Sequence, residues 1–163
     1  IRSIERLVGG VGVFAAMLLV PLVLATCWEV WARYVLGAPT IWAYEVGYIL
    51  TGAHFLLGLA YTLRAGEHIR IDLFSASMPL RLRAAIDTAA YAVMLALLVW
   101  LSWALFEYLV AGYSRGERSG QSALNMVVWP FRLVFLVSFC VLALQVLAEL
   151  LKAISNLRSR AEA

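Results

Sequence analysis

The most constraining feature of this chain is an unbroken apolar run over residues 41–63, in which only Glu45 and His54 are acidic or basic. As a helix rising about 1.5 Å per residue, this run is about 34 Å long, which is enough to cross a hydrocarbon core of about 30 Å. A basic and polar segment, residues 64–72, follows immediately. The sequence therefore predicts a membrane-spanning helix that ends at a charged boundary.

Glu45 and His54 are expected on opposite faces of this helix, because they lie nine residues apart and successive residues turn by about 100°. A carboxylate that faced lipid would be costly, and small residues at helical spacing let neighbouring backbones approach closely. His54 shares its face with such residues, which are Gly47, Thr51 and Gly58. We therefore expect both faces to contact protein and the helix to lie centrally in a bundle.

Three further apolar runs accompany the central one and set the fold class. Hydrophobic residues make up 64% of the chain and charged residues 14%, against about 25% charged in soluble domains. The sequence therefore predicts one all-α membrane domain over residues 1–163. Its four predicted transmembrane helices cover about residues 7–36, 41–63, 80–113 and 126–151.

Two places interrupt this regular pattern. Pro21 lies inside the first span, where it lacks an N–H and crowds the preceding turn, so we expect a kink there. Residues 66–79 are too polar to span a membrane, and their side chains fit either an extended or a helical segment. We expect this short stretch to lie along the membrane interface between the second and third spans.

The basic residues decide the expected orientation. Nine of them gather on the side that carries both termini, and only Arg115 and Arg118 lie in the loop on the opposite side. Cytoplasmic loops carry an excess of lysine and arginine, so both termini are expected to be cytoplasmic. The same placement at the ends of apolar runs accounts for the net charge of +3 and argues against nucleic acid as a partner.

Several charged residues lie within or beside the spans, on the side away from the termini. Glu29 and Arg33 are four residues apart in the first span, so they can meet on one helix face. Glu107 and Arg132 lie at similar depth on adjacent antiparallel helices, which predicts an ion pair between them, since an unpaired charge there is costly. The alternative is that these side chains reach to the interface as ordinary boundary residues.

No arrangement of residues predicts catalysis. The chain has no Ser/His/Asp or Cys/His set, no glycine-rich phosphate loop and no metal-ligand spacing. Haem held between helices needs opposed histidines, and only His54 lies in a span, so we expect it to be a hydrogen-bonded packing residue. We therefore expect no enzyme, no cofactor and no metal. A transporter acting alone would show repeated halves and broken helices, so an accessory subunit is favoured.

A set of residues between positions 33 and 72 points to a known family. It comprises Arg33-Tyr34, Trp42-x-x-Glu45, Gly58 and the segment Arg64-x-Gly66-x-His68-Ile69-Arg70-Ile71-Asp72. Together with the hydrophobic layout of nearly the whole chain, these elements resemble the small membrane subunit of tripartite ATP-independent periplasmic (TRAP) transporters, the DctQ-like family.

The resemblance implies a non-catalytic small permease subunit of the bacterial inner membrane, which scaffolds a large elevator-type permease. The large subunit would carry the sodium and substrate sites, and a soluble periplasmic binding protein would deliver an organic acid. Scaffold or subunit-contact roles, rather than ligand binding, would then fall to Arg33, Trp42, Glu45, His54 and Gly58. The interfacial segment would contribute Gly66, His68, Arg70 and Asp72.

Two other functions remain open from the residues alone. One is a small accessory or electron-transfer subunit of a respiratory or photosynthetic complex, in which His54 would contact a cofactor. The other is a four-span channel or exporter that acts without a partner. Bound haem or pigment would favour the first, and solute flux in liposomes would favour the second.

Overall fold

The computed structural model describes residues 2–66 and 79–161, which form five helices. The helices are α1 (Arg2–Met17), α2 (Leu19–Tyr34), α3 (Ala43–Ala65), α4 (Leu80–Ser114) and α5 (Trp129–Ala161). Because α1 and α2 follow each other as one span, four segments are long and apolar enough to cross a membrane. The predicted all-α fold with four spans is confirmed.

The first span is interrupted at Leu18, three residues before Pro21. Proline has no N–H to donate to the carbonyl four residues earlier, which here is that of Met17, and its ring crowds that turn. At the interruption the N–H of Leu18 is shared between the carbonyls of Phe14, its ordinary helical acceptor, and Ala15, both at 3.2 Å. A break in the helix thus lies next to the proline where the sequence predicts a kink.

Glycine and proline mark the ends of two other helices. Gly66 follows the last residue of α3 in the left-handed conformation, with φ of 76°, and its N–H donates to the carbonyl of Leu63 at 3.2 Å. Pro130 lies in the first turn of α5, where its missing N–H would have had no helical acceptor. Glycine adopts a positive φ without steric strain, and proline in a first turn loses no helical hydrogen bond, so both residues suit their positions.

The centre of the packing is shared by α3 and α5. Helix α3 packs against α1, α2 and α5, as expected for a central helix, whereas α4 packs mainly on α5. The buried apolar core joins α1, α3, α4 and α5, and it consists of Val8, Ala60, Leu63, Leu98, Val141, Leu142 and Val146. Helices α3 and α4 consequently lie side by side on α5 with little direct contact between them.

Two glycines allow neighbouring helices to approach closely, because a side chain at either position would overlap an aromatic residue. A Cβ at Gly12 would lie 2.5 Å from Cδ2 and 2.8 Å from Cβ of Tyr61, whereas a Cβ at Gly10 would meet nothing within 4 Å. A Cβ at Gly52 would lie 2.9 Å from the ring of Phe131. Gly12 therefore permits the contact between α1 and α3, and Gly52 permits the contact between α3 and α5.

Gly12→Ala should lower the free energy of unfolding by about 1–3 kcal/mol, because the added methyl overlaps the base of the Tyr61 side chain and pushes α1 away from α3. Gly10→Ala is the matched control on the same helix and should be neutral or stabilising by up to about 1 kcal/mol. Unfolding in detergent, followed by circular dichroism, measures both. Equal stability of the two variants would contradict the close approach.

Candidate functional site

One end of the molecule carries the two connections 35–42 and 115–128, and we call it the loop end. Three acidic side chains there each join two segments of the chain, and together they form what we call the ionic framework. Its acids are Glu29, Glu45 and Glu117. At the opposite end, Nζ of Lys152 binds Glu5 at 2.7 Å and Glu149 at 2.9 Å, which joins α5 to α1.

Glu29 joins α2 to the connection that leads into α3. Its Oε1 accepts from Nε of Arg33 at 3.0 Å and from Nη2 at 2.5 Å, so the predicted contact between these two residues is confirmed. Its Oε2 accepts from the N–H of Thr40 at 3.0 Å and from the Thr40 hydroxyl. The same hydroxyl accepts from the N–H of Ala43 at 3.4 Å, at the start of α3. Glu29 thereby fixes how the chain enters α3.

Glu45 is completely buried, and within the described part of the chain the hydrogen bonds to its carboxylate come from residues 119–126. Oε1 accepts from the hydroxyls of Ser119 at 2.7 Å and Ser122 at 2.6 Å, and Oε2 accepts from the N–H of Met126 at 2.8 Å. A buried carboxylate is tolerated only when such donors replace its hydration. Since it lies in the first turn of α3, the helix dipole also favours its charge. Glu45 therefore clamps the 115–128 connection onto α3.

Arg132 pairs with Glu117, so the predicted ion pair between Arg132 and Glu107 is wrong. Nη2 of Arg132 donates to Oε2 of Glu117, and Nη1 donates to the carbonyl of Tyr108 at 2.9 Å. The Glu107 carboxylate accepts from Nε1 of Trp103 at 3.0 Å on the exposed surface. Neighbouring residues on α4 point about 100° apart, and the guanidinium lies against the face of Tyr108 rather than that of Glu107.

The Arg132 guanidinium packs against two residues of α4, Tyr108 and Gly112. The Cζ atom lies 3.6 Å from the centre of the Tyr108 ring, a cation–π contact. One turn further along, a Cβ at Gly112 would overlap Nη1 and lie 2.7 Å from Cζ. Arg132 is only 7% exposed as a result. The bare backbone of Gly112 is what allows a large cation to enter the contact between α4 and α5.

The 115–128 connection has a defined backbone conformation. Ser119 N–H donates to the carbonyl of Met126 at 2.9 Å, and Val128 N–H donates to that of Glu117 at 3.2 Å. Left-handed residues turn the chain between these bonds, and they are Gly116, Gly120 and Asn125. Because glycine and asparagine adopt this conformation most readily, the connection is a built turn rather than a loose loop.

His54 fills a gap that the break in the first span creates. Its Nδ1 lies 2.8 Å from the carbonyl oxygen of Ala15. In an uninterrupted helix that carbonyl would accept from the N–H of Leu19, but at the break it accepts from the N–H of Leu18 at 3.2 Å and has room for a second donor. A carbonyl only accepts, so Nδ1 carries the proton in this bond. His54 is thus the hydrogen-bonded packing residue that the sequence predicts.

The other predicted contact residues take no part in the ionic framework. Trp42 precedes α3 and is partly exposed, and a Cβ at Gly58 would meet nothing within 4 Å. His68, Arg70 and Asp72 lie outside the described residues. Among the residues that the structure does describe, no group of three or more His, Cys, Asp or Glu side chains is placed to hold a metal ion.

Comparison with known proteins identifies the family to which this chain belongs. The profile of the DctQ component of tripartite ATP-independent periplasmic transporters matches residues 22–156. This chain belongs to that family. It is therefore a TRAP transporter small permease subunit and a multi-pass membrane protein, as the resemblance within residues 33–72 predicts.

The chain is also similar to a curated relative, the sialic acid TRAP transporter small permease protein SiaQ of Vibrio cholerae serotype O1. The two are 25% identical over 119 residues. The alignment covers 73% of this chain and 61% of the relative. The matched part thus spans less than two thirds of that protein.

Sequence reasoning missed most of the partners in the ionic framework of this TRAP subunit. The sequence pattern gives no partner to Glu117, Ser119 or Ser122, which all lie in the connection between the third and fourth spans. These residues lie more than 70 positions from Glu45 or in a segment without periodicity, so no spacing rule connects them. The available signals were the glycines at 116 and 120, which mark a tight turn beside a charged residue.

Glu45→Gln should loosen the 115–128 connection, because an amide keeps the shape of the carboxylate but replaces one accepting oxygen with a donor. We expect a loss of about 1–3 kcal/mol in the free energy of unfolding. Hydrogen exchange should accelerate at the Met126 amide, which donates to Glu45, and stay unchanged at the buried residue Val146 in the middle of α5. Unchanged exchange at Met126 would contradict the clamp.

Glu117→Gln and Glu107→Gln form a matched pair that tests which acid neutralises Arg132. The first leaves a largely buried guanidinium without its anion and should cost about 1–3 kcal/mol, less than a fully buried pair, because Glu117 is one-third exposed. The second removes an exposed hydrogen bond and should change stability by less than about 0.5 kcal/mol. Thermal unfolding in detergent measures both, and the reverse order would show that the assignment is wrong.

Proposed function

We propose that this TRAP small permease subunit is a fixed, non-catalytic scaffold for the large permease subunit in the bacterial inner membrane. The supporting observation is a contrast within the chain. The charged groups of the ionic framework are bound by the chain itself, whereas only 6% of the most apolar stretch of α4 is buried, against 33% for α5. A rigid frame with wide apolar faces suits a protein that packs beside a larger membrane partner.

In this proposal the large subunit is an elevator-type permease that carries the sodium and substrate sites. A soluble periplasmic binding protein delivers the cargo, an organic acid with a carboxylate group, which is a class that includes the sialic acid in the name of the Vibrio relative. The present chain leaves cargo binding to these partners. In support, Arg33 and Arg132 at the loop end are already paired with acids of the same chain.

Both termini face the cytoplasm in this proposal, and the loop end faces the periplasm. The excess of lysine and arginine on the terminal side supports this orientation. The loop end would then help to dock the binding protein, and Arg115 is available for such contact because 72% of its side chain is exposed. The firm conformation of the 115–128 connection supports that role, since a fixed surface loses less entropy on binding.

The electron-transfer alternative is less well supported. His54 already donates through Nδ1 to the carbonyl of Ala15, and the family is one of transporter components. A visible spectrum of the purified chain without bound haem or pigment is the expected result.

Co-purification with a large TRAP permease subunit from the same organism tests the scaffold directly. We expect the two proteins to associate, uptake of the organic acid to require both together with a sodium gradient, and the chain alone to give no flux in liposomes. Gly58→Leu should weaken association by roughly tenfold if this open face of α3 meets the permease. Gly10→Leu is the control, since its surroundings are equally open on α1.

Two results would overturn the proposal. One is uptake that survives deletion of this chain with full association of the remaining components. The other is solute flux or a redox cofactor in the isolated chain.

A further inference from the structure

At the end opposite the loop end, the side chain of Arg64 crosses from α3 onto the surface of α1 at Gly9. A Cβ at Gly9 would overlap Nη1 of Arg64 and lie 3.6 Å from its Cζ. The guanidinium therefore occupies the place on α1 that a side chain at position 9 would fill. Arg64 is exposed, and no ion pair within the described part of the chain includes it.

This position brings the Arg64 guanidinium next to two other arginines. Arg2 and Arg6 are exposed and lie four residues apart on α1, and Gly9 follows Arg6 by three residues. Residues three and four apart in a helix are neighbours on one face, with Cβ atoms about 5–6 Å apart. One face of α1 thus carries three guanidinium groups in sequence, and we call them the arginine row: Arg2, Arg6 and Arg64.

The acids on the adjoining parts of α1 and α5 do not neutralise the arginine row. Glu5 and Glu149 both bind Nζ of Lys152, at 2.7 Å and 2.9 Å. These three side chains together carry one negative charge, so the arginine row leaves this part of the molecule with a net charge of +2. Exposed guanidinium groups with excess positive charge favour an anion, and their planar donors match the oxygens of a phosphate.

Toward the membrane centre, the same side of α1 becomes apolar and stays uncovered. A Cβ at Gly10 would meet nothing within 4 Å, and the side chains beyond it are well exposed, with 59% for Val13 and 66% for Met17. Val13 follows Gly9 by four residues and Met17 follows Val13 by four, so both continue the line of the arginine row. A ligand that fits this surface has an anionic group at the arginines and a hydrocarbon part along Val13 and Met17.

We propose that the arginine row binds the headgroup of one anionic phospholipid from the leaflet at this end. Its phosphate lies between Arg6 and Arg64, and one acyl chain extends along Val13 and Met17. A soluble acidic segment of another protein would match the charge but not the uncovered apolar surface that adjoins it. This inference does not depend on the scaffold role, because the site is built from one chain only.

Photolabelling of the full chain in phosphatidylcholine vesicles tests the site. Traces of phosphatidylglycerol and phosphatidylcholine that carry the same diazirine-bearing acyl chain serve as the anionic and the zwitterionic probe. Peptide mass spectrometry should show labelling of Val13 and Met17 that is roughly fivefold or more higher with the anionic probe. Leu97 on α4 is the internal reference, since it is 58% exposed and its neighbour Leu98 lies at the depth of Val8 in the same buried core. Both probes should label Leu97 equally.

Gly9→Leu changes no charge but places a side chain where the Arg64 guanidinium lies. This variant and Arg64→Gln should each lower the preference of Val13 for the anionic probe by roughly fivefold. Gly58→Leu and Arg115→Gln are the matched controls, because Gly58 has open surroundings and Arg115 is exposed at the loop end. Both controls should keep the preference, and thermal unfolding shows whether each variant keeps its fold.

Equal labelling of Val13 by the two probes in the unchanged chain would overturn the proposal, and this comparison needs no variant. A preference that survives both Gly9→Leu and Arg64→Gln would overturn it too. The same holds for a preference that excess inorganic phosphate abolishes, since a free anion would then occupy the arginines. Cross-linking of Val13 and Met17 to side chains of the large permease subunit, in place of lipid, in the assembled complex would assign this surface to a protein partner instead.

Discussion

The burial of one carboxylate, that of Glu45, is the constraint on which the arrangement at the loop end depends. A charge within a membrane helix is tolerated only if donors surround it, and here they come from Ser119, Ser122 and the backbone of Met126. These donors belong to the connection between α4 and α5, so satisfying the charge also fixes that connection on α3. The hydrogen bonds that offset the burial of Glu45 therefore also fix the positions of α3, α4 and α5 relative to one another.

Other charged or polar side chains near this clamp also form hydrogen bonds that join two segments of the chain. Glu29 holds the entry into α3 through Thr40, and Arg132 holds α5 against α4 through Tyr108 and Glu117. His54 donates to the carbonyl of Ala15, which at the break before Pro21 also accepts from the N–H of Leu18. In hydrocarbon each of these groups needs a partner from protein, and each bond therefore places one segment relative to another.

This arrangement suits a small permease subunit of a TRAP transporter. Its polar groups hold the chain together at the loop end, and its helices leave broad apolar faces exposed. Rigid internal bonding and open outer faces are compatible, because polar bonds between helices add to van der Waals packing and do not need wide apolar contact. The faces that the chain does not cover itself are then available to lipid and to other subunits.

Much of this fold can be read from local patterns. Apolar length predicts four spans, Pro21 predicts a break in the first, and a spacing of four residues predicts that Glu29 meets Arg33, because each depends on residues close together in the chain. The partner of Arg132 could not be read in this way. Depth in the membrane pointed to Glu107 alone, whereas the direction of one helix face together with the turn at Gly116 brings Glu117 to Arg132. Pairings between distant segments depend on which faces meet in space, and no periodicity in the chain records that.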